Sequence, residues 1–124
     1  MSDGLRGVVV CHGKLAIALV EATESISGVT GALVPVSNTD CDRHLLEERV
    51  AAAVDGRPSV VFVDLASGSC LFAVLKRLRA MESVRVVTGV NLAMLVDFVF
   101  HRELAPEAAA ERAAAAGTKA IRIP

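Results

Sequence analysis

Gly7-Val8-Val9-Val10-Cys11-His12-Gly13 is the stretch on which the reading of this chain turns. A near-continuous valine run bounded by glycines has the pattern of a strand buried on both faces, which means a parallel sheet covered by helices. The apolar run stops at His12, and a helical pattern begins just beyond Gly13. A histidine is therefore expected at the carboxyl end of the first strand, facing a helix N-terminus. Unpaired N–H groups and the positive end of the helix dipole favour an anion there, with phosphate the leading candidate.

Outward from this stretch, strand and helix patterns alternate. The first strand is read over 5–11. The helix after it runs over 14–26 with Leu15, Ala18, Leu19, Ala22 and Ile26 as its apolar stripe, and Ser27-Gly28 ends it. A second strand is read over 29–36. Thr39 or Asp40 then caps a helix to about Val54, with Leu45, Leu46, Val50 and Val54 as its stripe. Asp55-Gly56-Arg57-Pro58 is a turn, and the strand over 59–64 ends on Asp64. A small-residue loop leads to a helix over 70–79, a fourth strand over 84–88 and the exit loop Gly89-Val90-Asn91. A short helix over 92–100 precedes an Ala/Glu-rich helix over 103–116 that Gly117 caps. Thr118-Lys119-Ala120-Ile121-Arg122-Ile123 alternates polar and apolar, the pattern of a C-terminal edge strand with one wet face.

The expectation is one domain over 1–124: an open doubly wound α/β sheet with four parallel strands in order 2-1-3-4. Ligands in such sheets sit outside the carboxyl strand ends where the winding reverses, here between strands one and three. That rule brings His12 beside Asp64. A carboxylate accepting the N–H of one ring nitrogen fixes the tautomer, leaves the other nitrogen as nucleophile and stabilises the cation formed on attack. Gly13, Lys14, Ser67, Gly68 and Ser69 surround the same crevice, with backbone amides and hydroxyls suited to phosphoryl oxygens. Singly, a strand-end histidine is an ordinary half-buried residue and Asp64 an ordinary turn acid. Their coincidence at the switch point beside a Ser-Gly-Ser loop gives the pair its chemical meaning.

Composition excludes other classes. The formal net charge is −1 and there is no Trp or Tyr, so neither the basic footprint nor the stacking residues of a nucleic-acid binder are present. No apolar run reaches the roughly 18 residues of a membrane span, and the N-terminus lacks a signal-peptide pattern, so a cytoplasmic protein is expected. Three cysteines, Cys11, Cys41 and Cys70, form no C-x-x-C pair; no disulfide framework, metal site or cofactor is expected. His44 lies in a charged, solvated stretch, His101 marks a helix end, and Asp97 is assigned to an exposed helix face.

Val8-Val9-Val10-Cys11-His12-Gly13, Phe62-Val63-Asp64-Leu65-Ala66-Ser67-Gly68-Ser69 and Gly89-Val90-Asn91-Leu92-Ala93-Met94-Leu95-Val96 together resemble the enzyme IIA component of the mannose family of the bacterial phosphoenolpyruvate-dependent sugar phosphotransferase system. The resemblance runs from the first strand to Gly117-Thr118-Lys119-Ala120. It implies a phosphotransferase in which His12 is the phosphohistidine, attacking through Nε2, with Asp64 on Nδ1 and Ser69 holding the phosphoryl group. It also implies that the Gly89–Asn91 loop borders the site, that the histidine phosphocarrier protein is the donor, and that an enzyme IIB component in sugar transport is the acceptor. Its last implication is a homodimer in which the strand over 118–123 is swapped onto the partner's sheet. Lys14 stands where the family usually has an aromatic, Ala66 opens a loop that is usually aromatic-Gly-Gly-Ser-Pro, and Ala93 replaces a common proline.

A stand-alone regulatory phosphoprotein with the same His12 chemistry is the alternative to transport. A metal chelatase of the tetrapyrrole type wants a second site histidine or acid ligands. A histidine phosphatase wants an arginine where Cys11 stands, and a receiver domain wants an acidic pair after the first strand.

Overall fold

The computed structural model describes residues 4–124. Four strands, β1 (Arg6–Cys11), β2 (Leu33–Ser37), β3 (Ser59–Val63) and β4 (Val84–Thr88), alternate with α1 (Leu15–Ser27), α2 (Arg43–Val54), α3 (Ser69–Leu78) and α4 (Leu92–Val99). Helix α5 (Pro106–Lys119) closes the chain. The strands form one sheet in the order β2-β1-β3-β4, every neighbouring pair parallel. In the central register Val10 lies opposite Val36 on one side and Val63 on the other, so the carboxyl ends of the three strands finish level.

Alternate residues of each strand feed two separate cores, as the period-2 geometry of a strand requires. Val9, Cys11, Val60, Phe62 and Val87 pack with residues of α1, α4 and α5. Val8, Val10, Val61, Val63 and Val84 pack with residues of α2 and α3 on the opposite face. Phe62 meets Phe98 edge to face, with ring centroids 5.3 Å apart, and anchors β3 to α4. Val8, Val9 and Val10 are wholly buried. Burial of one valine side chain is worth roughly 1.5–3 kcal/mol. The strand that carries His12 thus lies in the most tightly held part of the molecule.

Several sequence expectations are corrected. The buried residues of α1 are Ala16, Val20 and Thr23, whereas Leu15 and Ile26 are exposed. The first half of this helix, Leu15–Val20, is apolar all round, so periodicity does not select the face there; the reach of small Ala16 and β-branched Val20 onto the sheet does. The cap of α2 is Asp42, whose carboxylate accepts from the Leu45 N–H, and not Thr39 or Asp40. β2 starts at Leu33, because Gly28 and Gly31 hold left-handed turns before it. Gly117 does not end α5. It is buried inside the helix because a Cβ there would fall 2.5 Å from Met94 Cγ. The helix therefore continues through Thr118 and Lys119 to a C-cap at Ala120. The C-terminal edge strand read over 118–123 is accordingly absent among the described residues, where the sheet has four strands, and Ile121 and Ile123 stand exposed. No helix is long and apolar enough to cross a membrane among the described residues.

Candidate functional site

His12 follows β1 directly and Asp64 follows β3 directly, and the parallel pairing of those strands makes them neighbours. His12 Nδ1 lies 2.8 Å from Asp64 Oδ2, and the same oxygen accepts the His12 backbone N–H at 2.9 Å. The carboxylate therefore grips both the backbone and the ring of His12. Its side chain is only 9% exposed, while the imidazole is 42% exposed. With Nδ1 engaged, Nε2 has no hydrogen-bond partner among the described residues. Burial alone would push the Asp64 carboxyl up. The two hydrogen bonds from His12 and its charge outweigh that and hold the carboxyl below its ordinary value. Asp64 is an anion oriented on the ring.

The loop 12–14 is held from the side by residues the sequence reading did not single out. Asn38 Oδ1 accepts the Gly13 N–H at 3.1 Å, and the Ser37 hydroxyl donates to the Gly13 carbonyl at 2.6 Å. Arg49 donates to the carbonyls of Ser37 and Thr39 and ties that clamp to α2. The signal was topological: order 2-1-3 places the exit of β2 beside that of β1. Gly13 takes φ +60°, which a side chain would resist.

On the other side, Gly68 lies against the imidazole, so that a Cβ there would come 4.0 Å from His12 Cε1. α2 and α4 are closed by Asp42 and Asn91, whereas α1 and α3, which flank His12, have no side-chain cap; nor has α5, which starts on Pro106 away from the site. In α1 the Leu15 N–H returns to the His12 carbonyl, and the other first-turn N–H groups of α1 and α3 are left for another acceptor. Gly13, Lys14, Ser67, Gly68 and Ser69 are all exposed at this edge, as the sequence places them. Asn91 is the exception. The Val90 N–H bonds to the Val63 carbonyl and so brings this loop to the β3 end. The Asn91 side chain, however, caps Met94 N–H and donates to the Gly117 carbonyl.

Cys70, buried in the first turn of α3, puts Sγ 3.8 Å from His12 Nδ1. Burial, with the nearby Asp64 charge, pushes its thiol up to about 11, and Cys11 up to about 12. Sγ of Cys70, a ring nitrogen of His12 and a carboxylate oxygen of Asp64 all lie within 4.8 Å of one another. The sequence reading expected no such grouping. Of the remaining candidates, His44 is exposed. His101 Nδ1 sits 2.8 Å from the Asp97 carbonyl beyond the end of α4. Asp97 is not on an open face: its side chain is 16% exposed and pairs with Arg112 of α5 at 3.2 Å. The wide groove of about 690 Å³ lined by Leu5, Arg57, Arg102 and Leu104 lies at the amino ends of the strands, remote from His12.

Residues 7–116 match the family described as the PTS system fructose IIA component, EIIA-man. Among solved structures, phosphotransferase system component EIIA from Streptococcus agalactiae aligns with TM-score 0.88 at 18% identity, covering 96% of each chain. The mannose/sorbose-specific IIA subunit from Enterococcus faecalis aligns at 0.86 and 21% identity, covering 98% of this chain and 96% of its own. A sigma-54 interaction domain protein from Enterococcus faecalis shares the fold at 0.77 and 10% identity, covering 98% and 96%. No curated protein matches.

Proposed function

The chain belongs to the fructose/mannose IIA family of the phosphotransferase system, and from that premise we propose that it is a phosphoryl carrier whose acceptor atom is Nε2 of His12. The observation that carries this reading is the grip of Asp64 on Nδ1, which leaves Nε2 as the one ring nitrogen with a free lone pair. The donor is the phosphohistidine of the histidine phosphocarrier protein. Nε2 attacks phosphorus, the donor's N–P bond breaks as the new one forms, and the proton stays on Nδ1 against Asp64. The imidazole becomes cationic, and the buried carboxylate is already in place to balance it. Phosphoryl oxygens find the uncapped N-termini of α1 and α3, the hydroxyls of Ser67 and Ser69, the amide of Gly68 and the Lys14 charge, and the Gly13 N–H joins them only when its bond to Asn38 Oδ1 opens. The reverse displacement hands the group to an enzyme IIB histidine. No metal enters the transfer.

Two observations favour a second reading, a regulatory phosphoprotein without transport. Lys14 and Ala66 remove aromatics from the rim of the site, and one protein of this fold is named for sigma-54 interaction. Transfer onward to an enzyme IIB component separates the two: transport requires it and the regulatory reading does not. A homodimer is part of the same proposal. With Thr118 and Lys119 taken up by α5, the exposed Ile121 and Ile123 are the residues left to add to a partner's sheet. The cytoplasm, where the phosphocarrier resides, is the compartment the proposal requires.

The test is incubation with phosphoenolpyruvate, enzyme I and the phosphocarrier. One acid-labile phosphate per chain is expected. It should be lost in His12→Ala and kept in His44→Ala and His101→Ala, and labelling that survives in His12→Ala rejects the reading.

A further inference from the structure

The transfer just described leaves Cys70 unused, although its sulfur is buried against the reacting ring. Asp64 is also half spent. Oδ2 takes both hydrogen bonds from His12, while Oδ1 is buried without a partner on a side chain nine-tenths covered. An unpaired buried carboxylate oxygen is costly and points to a missing partner. One nitrogen, one oxygen and one sulfur converge within 4.8 Å. Zinc takes such donors at about 2.0–2.3 Å, so the edges of its tetrahedron are roughly 3.4–3.6 Å. The Nδ1–Sγ edge is 3.8 Å and the Nδ1–Oδ2 edge 2.8 Å. The third edge, from Sγ to the Asp64 carboxylate, is at most 4.8 Å, so closing the three donors onto one ion takes side-chain movement of up to about 1 Å. Three protein donors with a partly exposed fourth position is the arrangement of an open zinc site, and thiolate with imidazole selects zinc-class ions over magnesium or calcium.

We propose that His12 Nδ1, Asp64 and Cys70 form a site for a thiophilic divalent cation of the zinc class, and that cation binding and phosphoryl acceptance exclude each other. The Cys70 thiol gives one proton to solvent on binding. The His12 proton moves from Nδ1 to Nε2, and Asp64 can ligate through Oδ1 while Oδ2 keeps the backbone N–H. With a proton on Nε2 the ring has no lone pair for phosphorus. In the phosphorylated chain, conversely, the proton on Nδ1 leaves no lone pair for the metal. The exclusion rests on the phosphoryl reading; the binding itself does not.

Cobalt(II) added to the full-length chain under reducing conditions is the direct probe. One equivalent should give a thiolate-to-cobalt charge-transfer band that zinc displaces. Cys70→Ser and Cys70→Ala should lose the band and weaken zinc binding by at least the 10–100-fold that even outer partners of a bound metal cost, whereas Cys41→Ser should keep both. Circular dichroism confirms that each variant is folded. Purified phosphorylated phosphocarrier then serves as donor, each variant being compared with itself in chelator. One equivalent of zinc should block uptake by the parent chain and spare Cys70→Ser. Absence of the band in folded protein, or a band that follows Cys41 in place of Cys70, overturns the site. Uptake that proceeds at full rate on zinc-loaded chain overturns the exclusion. Cobalt bound through Cys70 in a chain that accepts no phosphate even in chelator upholds the site and rejects the phosphoryl reading.

Discussion

Asp64→Asn isolates the charge of the orienting carboxylate from its shape. Oδ2 accepts the backbone N–H and the ring N–H of the same residue, at 2.9 and 2.8 Å. The backbone donor holds the oxygen of the introduced amide toward His12, so the ring keeps its tautomer. What is lost is the negative charge. Opposite charges about 4 Å apart attract by about 4 kcal/mol at an effective dielectric constant of 20. A loose transition state in which half the imidazole charge has developed forfeits about 2 kcal/mol, or roughly 30-fold in rate. A tautomer inversion of the kind that costs a serine-protease triad about 10⁴-fold is not expected. Stability also falls, by about 1–2 kcal/mol, because the two hydrogen bonds from His12 lose their charged acceptor. The assay is rapid-quench transfer from labelled phosphocarrier, with urea unfolding of the same preparation. Parent-like transfer reduces Asp64 to a turn residue. A loss near 10⁴ in folded protein refutes the argument that the backbone N–H keeps the amide in register.

Gly7→Ala places a Cβ 2.5 Å from Leu33 Cδ2 and 2.7 Å from Phe98 Cε2; overpacking between a strand and buried Phe98 should cost about 1–3 kcal/mol in urea unfolding, and an unchanged midpoint contradicts the packing. Folding lowers the Asp64 pKa, so its stabilisation is complete above the ordinary carboxylate value of about 4 and drains away as the pH falls through the lower folded value. Unfolding midpoints taken from about pH 6 to about pH 3 should show an acid limb that Asp64→Asn flattens, and an identical limb in the variant refutes the coupling. Sedimentation at tens of micromolar, about the range where a stable swap should persist, should show a dimer that deletion of 120–124 dissociates; a monomeric parent chain removes the homodimer from the account.

The sheet order and the meeting of His12 with Asp64 were legible because few rules decide them. Val-rich runs identify central strands, right-handed crossovers order them, and the winding reversal juxtaposes two strand ends. The face of α1 was not legible: the stripe Leu15, Ala18, Leu19, Ala22 and Ile26 is as apolar as the face that is buried, yet Leu15 and Ile26 are exposed and packing of Ala16 and Val20 settles the choice. Gly117 misled because glycine usually ends helices. Here its missing side chain makes room for Met94, a contact between distant segments that local patterns do not encode. Ser37 and Asn38 carry no periodicity, and only their position beside Gly13 in space reveals the clamp. Cys70 reads as a core residue from its neighbours in the chain, and its closeness to His12 comes entirely from the β1–β3 pairing.

The central claim concerns one atom, Nε2 of His12, and nitrogen NMR of histidine-labelled chain after phosphorylation observes that atom directly. The account predicts a phosphoryl group on Nε2 of a single histidine, with a protonated Nδ1 still hydrogen-bonded to Asp64. A phosphoryl group on Nδ1, or on His44 or His101, would contradict it.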